Sequence, residues 1–253
     1  MNISAILFDL NDTLTTTKDS VLNTIRKICY SNGVDLNCYS DEQLEQAFQR
    51  SNAVMMEYVV ANNVLPSWGE SEESWLPFDR IMFEELDIND LTDATILSIE
   101  RDFKHITRDT DWEFFTEDAL YALRTLNAMG FKMGICTRRS DNPIGLLERN
   151  NLDHIFGSIQ WSGVPGYAKP SPYTLLQAAR ELEINPHHCF FVGNYVNADV
   201  EAAIRCEMQP VLLTWANPDE AEKAPDSCIV LDKPFDLVKW IQNQGESSRA
   251  SGI

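Results

Sequence analysis

No apolar run in this 253-residue chain approaches the length needed to cross a bilayer. The segment from Ile3 to Phe8 has no basic stretch before it and no small-residue cleavage site after it, so a buried strand and a cytoplasmic protein are expected rather than a signal peptide. Cysteine is sparse and scattered. Cys29, Cys38, Cys136, Cys189, Cys206 and Cys228 form no CxxC pair and have no histidine at metal-ligand spacing, which excludes a zinc cluster or a disulfide framework and leaves reduced thiols, several of them in core strands. Positive charge is also short: 20 Lys and Arg stand against 39 Asp and Glu, a formal net charge of −19 spread without runs. Nucleic acid and membranes are therefore not expected partners, and an anionic substrate needs a local cation to approach.

What is there reads as a folded protein, since a hydrophobic fraction of 44% with 23% charged residues is enough to build a core. Two modules are expected at this length. Ile3 to Phe8 (ISAILF) is a short apolar run ending at Asp9, the pattern of a parallel strand buried on both faces. From about Ser20 to His105 the period becomes helical: Val21, Leu22, Ile25 and Ile28 recur at three- and four-residue steps, and Leu44, Phe48, Met55 and Val59 continue it. Ser20 and Asp41 are the expected N-caps, with further helices over 74–86 and 91–105. Trp68, Trp75 and Trp112 are read as packing residues of this insertion.

Beyond Trp112, helices at 117–129, 143–150, 172–182, 198–206 and 237–243 alternate with strands at 131–137, 158–161, 189–192, 210–215 and 228–231. Such alternation predicts a doubly wound, mostly parallel sheet. The predicted fold is α/β, with a core of residues 1–16 and 110–241, a helical cap of 17–109, and a polar, disordered tail of 242–253.

In an open parallel sheet the reactive groups gather at the carboxyl ends of the strands. Those positions hold Asp9 and Asn11, Thr137, then Asn194 and Asp199, with Lys169 supplied by the loop before a helix. Arg138 and Arg139 read first as a pair of surface arginines, with a grip on a substrate anion as the alternative, and His187 and His188 as surface residues of a remote connection.

Four stretches, ILFDLNDTL, MGICT, AKPSP and FFVGNYVNADVEAA, resemble in order and separation the four motifs of the haloacid dehalogenase (HAD) superfamily. The helical insertion resembles that family's C1-type cap in position and helicity. The resemblance implies a Rossmann-like core and a Mg²⁺-dependent phosphohydrolase acting on a small phosphorylated metabolite. It implies that Asp9 is a nucleophile forming an aspartyl-phosphate, and that Thr137 hydrogen-bonds a phosphoryl oxygen. Lys169 would neutralise the charge of Asp9 and of the substrate. Mg²⁺ would sit among Asp9, the backbone carbonyl of Asn11 and Asn194, with Asp199 holding metal waters or Lys169 in place.

Two positions depart from the phosphatase pattern. Position 11, where the family's phosphatases carry an Asp that acts as acid and base, holds Asn11, whose amide cannot shuttle a proton at neutral pH. Asn194 stands where a metal-binding Asp is usual, and its oxygen brings no negative charge, so metal affinity is expected to drop. Alternation along an extended segment would turn the neighbouring Asp12 away from the site. The departures leave open a slow phosphatase, a catalytically silent ligand-binding or regulatory protein, and a metal-independent dehalogenase-like hydrolase.

Overall fold

The computed structural model describes residues 3–139 and 142–250. The chain forms two compact units, one of residues 1–16, 114–162 and 167–253, the other of 17–113 with 163–166.

The second unit is helical: α1 (Val21–Ser31), α2 (Asp41–Asn62), α3 (Leu76–Glu84) and α4 (Asp93–Asp109). Each of α1, α2 and α4 starts at a hydroxyl side chain that accepts an otherwise orphaned amide hydrogen: Ser20 from Asn23, Ser40 from Gln43 and Thr92 from Thr95. For α2 the cap is Ser40 and not the expected Asp41, because Ser40 and Gln43 close a reciprocal capping box, which leaves Asp41 in the first turn. Ile25 and Ile28 of α1, Leu44 and Ala47 of α2, Met82 and Phe83 of α3, and Ile96 and Ile99 of α4 share one buried cluster. Trp68 packs against Tyr58, Trp75 and Phe78 with ring centroids 5.9, 5.5 and 5.8 Å apart, and the Trp112 indole N–H donates to the Thr24 hydroxyl at 2.9 Å.

The first unit is built on strands. In chain order the strands are β1 (Ala5–Phe8), β2 (Thr15–Thr17), β3 (Glu113–Phe115), β4 (Lys132–Thr137), β5 (Ser158–Trp161), β6 (Cys189–Gly193), β7 (Gln209–Leu213) and β8 (Ile229–Leu231). Six of them form one parallel sheet in the order β5-β4-β1-β6-β7-β8, and β2 pairs with β3 separately. Three-residue strands such as β2 and β3 carry too little alternation to be read from sequence.

In β1 the side chains alternate between two cores. Ile6 and Phe8 join Leu123 of α5 (Glu117–Ala128), Leu147 of α6 (Ile144–Arg149) and Val238 of α9 (Pro234–Ala250). Ala5 and Leu7 join Leu175 of α7 (Tyr173–Glu181) and Ala202 of α8 (Glu201–Arg205) on the opposite face. Both faces of the strand are thus covered, which is why its sequence is apolar throughout.

Two boundaries differ from expectation. The helix expected over 198–206 begins as a π-helical turn, Val196–Val200, before α8. Helix α9 continues to Ala250, through most of the segment expected as a disordered tail; residues 251–253 of that segment lie outside the described residues. The packed face of Leu237, Val238, Trp240 and Ile241 starts the helix firmly, and a lone Gly245 costs only about 1 kcal/mol and does not stop it.

Candidate active site

The chain runs along β1 between β4 and β6, with Phe8 in register with Ile135 and Val192, and delivers Asp9 at the centre of the sheet's carboxyl edge. The Asp9 N–H continues the ladder by donating to the Val192 carbonyl at 2.8 Å. The backbone then closes on itself. The Leu10 carbonyl accepts the N–H groups of Thr13, Leu14 and Thr15 at 3.3, 2.9 and 3.1 Å, and Asp12 adopts a left-handed φ of 56°. This conformation, which Asp tolerates better than most residues, converts the expected extended segment into a turn. Alternation therefore does not apply here, and Asp12 lines the same cavity as Asp9 and Asn11.

That cavity, about 280 Å³, is bounded by Asp9, Asn11, Asp12, Thr137, Arg138, Arg139, Lys169, Asn194, Tyr195 and Asp199. All six residues singled out from the sequence meet in it. Thr137 is buried at the end of β4. Arg138 and Arg139, expected on the surface, also face the cavity and add cationic character to an otherwise acidic protein; Arg138 is exposed as well.

Lys169 is the centre of the arrangement. Its ammonium nitrogen lies 2.6 Å from Asp9 Oδ1 and 2.6 Å from Asp199 Oδ1, and its side chain is 1% exposed. Lysine before proline is ordinarily a solvated loop residue; here it sits over the Phe191 ring, 5.1 Å from the centroid, with both carboxylates for company. Burial tends to drive its proton off, and the two carboxylates more than reverse this, so the ammonium is held charged. For Asp9, burial is the largest influence and raises the carboxyl to about 6; the Lys169 charge opposes it and Asp199 adds to it. At neutral pH Asp9 is an ionised, desolvated carboxylate.

Asp199 is held from below by the loop after β6. One of its oxygens takes the Lys169 proton donor; the other accepts the N–H groups of Asn194 and Tyr195 at 3.0 Å each. This close fold-back requires Gly193, where a Cβ would stand 2.3 Å from Asp199 Cβ and Cγ. Both Asp199 oxygens are thereby engaged, so its position is that of a support for Lys169. Glu220, which sequence reasoning passed over, accepts the Val196 N–H at 2.7 Å and ties down the same loop. Thr13 was likewise passed over as a site residue: its hydroxyl lies 3.2 Å from Asp9 Oδ2 and 3.1 Å from Asn194 Oδ1. It stands in the first motif, DLNDTL, next to residues that were singled out, but a threonine there also reads as simple turn chemistry.

Among the described residues no group of three or more His, Cys, Asp or Glu side chains is arranged to hold a metal. The oxygen donors nevertheless suit a hard cation such as Mg²⁺. Asp9 Oδ2 and Asn194 Oδ1 converge on the single Thr13 hydroxyl, whose one hydrogen serves only one of them at a time. The donor set carries one carboxylate charge where two are common. Asn194 Nδ2 is buried and has no hydrogen-bond partner, which makes it a donor awaiting an oxygen.

The model of the haloacid dehalogenase-like hydrolases matches residues 3–207. The chain belongs to this hydrolase family. Among individual HAD relatives, the pyrophosphatase PpaX of Bacillus cereus (strain G9842) is 23% identical over 250 residues, covering 98% of this chain and all of that protein. A phosphoglycolate phosphatase of Aquifex aeolicus is 30% identical over 124 residues, 49% of this chain and 57% of that protein. The crystal structure of a predicted phosphoglycolate phosphatase from Haemophilus somnus superposes with a TM-score of 0.66 at 18% identity, covering 95% and 99% of the two chains. That likeness shows the HAD fold. Among the described residues no helix is long and apolar enough to cross a membrane.

Proposed function

We propose that this HAD hydrolase is a slow phosphohydrolase of a small phosphorylated metabolite, working through an aspartyl-phosphate on Asp9. The observation that carries the reading is the Asp9–Lys169–Asp199 array: a desolvated carboxylate at a strand end, 2.6 Å from a buried ammonium, opening on a cavity that also holds Thr137 and two arginines. The phosphatase names of the relatives support the same class.

In the first step a lone pair of an Asp9 oxygen forms a bond to phosphorus while the bond to the leaving oxygen breaks. Lys169 offsets the negative charge brought together by nucleophile and phosphoryl group, Thr137 donates to a phosphoryl oxygen, and Asn194 Nδ2 is the further donor at hand. Mg²⁺, held by Asp9, the Asn11 carbonyl and Asn194, would supply charge neutralisation at the phosphoryl oxygens. Water then forms a bond to the phosphorus of the aspartyl-phosphate while the bond from phosphorus to the Asp9 oxygen breaks, its proton passing to solvent, so that phosphate is released and the Asp9 carboxylate restored. Asn11 cannot give the leaving oxygen its proton, which leaves water and Asp12, a carboxyl lining the same cavity, as its sources. The loss of a positioned acid costs on the order of 10²- to 10⁴-fold in rate. Slow turnover follows, and the small-molecule substrate and cytoplasmic setting are part of the same reading.

A second reading, a ligand-binding protein without turnover, is favoured by one observation, the amide at position 11 in place of an acid. Phosphate release from an aryl phosphate and a metabolite panel, with and without Mg²⁺, separates the two. Metal-stimulated release that vanishes in Asp9→Ala is expected; rates indistinguishable from background in both proteins would leave only binding.

A further inference from the structure

The lining of the Asp9 cavity divides by depth. Thr137, Lys169 and Asn194 are buried at its floor, where they offer a transferring phosphoryl group a hydroxyl, an ammonium and the unpartnered Asn194 Nδ2. Arg138 and Arg139 follow Thr137 directly, past the end of β4, and stand at the mouth, Arg138 exposed and Arg139 half-buried. The phosphoryl group thus finds its donors without the arginines.

Charge divides in the same way. The lining holds three acids and three bases, and two of the acids lie at the floor, where Asp9 and Asp199 share Lys169 at 2.6 Å each and leave it no charge unmatched. At the mouth two guanidinium groups face the single carboxylate of Asp12, a local positive excess in a chain of net charge −19. Arg139 takes part in an interaction within the protein, whereas among the described residues no hydrogen bond or ion pair engages Arg138. A guanidinium presents its N–H groups as a planar fork that matches a carboxylate or a phosphate, and a neutral hydroxyl makes no use of that charge. Consecutive Cα atoms are about 3.8 Å apart, so whatever Arg138 grips lies only a few bonds from the phosphoryl group that Thr137 holds.

We propose that the substrate carries, a few bonds from the transferring phosphoryl group, a second anionic group, which Arg138 and Arg139 receive at the cavity mouth with Arg138 as the principal contact. That group is a carboxylate or a further phosphate. This substrate class rests on the phosphohydrolase reading and narrows it: phosphorylated acids and diphosphates are favoured, and phosphate esters of neutral alcohols are poor substrates.

Three phosphonates that cannot be hydrolysed share one short carbon chain and differ at its far end. Propylphosphonate ends in a methyl group, 3-phosphonopropionate in a carboxylate and ethane-1,2-diphosphonate in a second phosphonate. Their dissociation constants are measured by calorimetry on the full chain at pH 7 with excess Mg²⁺. At least one doubly anionic probe is expected to bind about tenfold or more tighter than propylphosphonate, and which one does so names the second group. Arg138→Gln is expected to bring that ratio to within about twofold, and Arg138→Lys, which keeps the charge and loses the fork, to leave an intermediate ratio. Arg139→Gln is the second variant, and circular dichroism checks that each is folded. Equal binding of all three probes, or an advantage that survives in both glutamine variants, would overturn the proposal. So would a loss shared equally by all three probes, which would place the arginines on the phosphoryl group itself. Because binding is read without turnover, failure here alongside Asp9-dependent phosphate release removes the second anion alone, whereas absence of that release removes the reading beneath it.

Discussion

Asp199 touches Lys169 with one oxygen, at 2.6 Å, and with the other accepts two backbone N–H groups of its own loop. The lysine is therefore anchored by a carboxylate that is itself anchored, and its remaining reach is directed at Asp9. Removing the ammonium should be far worse than removing either acid. In Lys169→Met two carboxylates stay buried without a counter-charge, and stability should fall by about 3–5 kcal/mol. Urea denaturation at pH 7 measures it; an unchanged midpoint would show that the array is not the electrostatic unit described.

The missing acid can be restored. Asn11→Asp should raise phosphate release by roughly 10²- to 10⁴-fold, because a carboxyl at position 11 carries the proton that the amide cannot. Single-turnover and steady-state rates with one aryl phosphate are the measurement. If the variant gains nothing, leaving-group protonation is not what slows the protein.

Asp9 attacks only as the carboxylate, and burial holds its carboxyl at about 6 against an ordinary 3.8. The acid limb of kcat/KM should accordingly bend near pH 6 rather than near 4, with activity rising about tenfold per pH unit below the bend. A rate that stays flat down to pH 4.5 would remove Asp9 from the nucleophile's role or show that its environment is less desolvated than the structure indicates.

Asp79 ties pH to stability. Its folded carboxyl sits at about 7 and its ordinary value is 3.8, so the folded protein holds a proton that the unfolded chain releases across that window. Stability conferred by that proton is present at the acid end and is lost as pH rises towards and through 7. Relative to Asp79→Asn, the natural protein should lose roughly 2–4 kcal/mol between pH 4 and pH 8. Parallel denaturation curves for the two proteins over this range would contradict it.

At Gly193 the test is steric. An added methyl would meet Asp199 at 2.3 Å on Cβ and Cγ, inside any permissible contact, and both belong to a short side chain that is held at three points. Gly193→Ala should therefore displace Asp199, with phosphate release falling by about tenfold or more while the helical content in circular dichroism is kept. Activity equal to that of the natural protein would mean that the loop after β6 can yield without cost.

The parallel sheet was legible because its strands are buried on both faces: runs such as AILF and CFFVG admit only apolar residues, and the reactive side chains come immediately after them. Asp9, Thr137, Asn194 and Asp199 could thus be placed at one edge from local pattern alone. Residues read by local rules failed where the local rule did not hold. Asp12 escaped strand alternation because the turn around the Leu10 carbonyl is closed by hydrogen bonds, and Asp41 yielded its cap to Ser40 because a box with Gln43 satisfies two amides instead of one.

By itself the sequence determined the strand and helix periods, the helical insertion and the chemistry of the side chains at the strand ends, since these depend on neighbours a few residues apart. Tertiary structure alone decided that Lys169 meets an aspartate 160 positions away and another 30 positions away, that Arg138 and Arg139 line their cavity, and that Asp79 and Glu100 share a hollow with apolar residues of four helices. Burial and charge pairing act through space, and no period in a sequence reports the distance between side chains that only folding brings together.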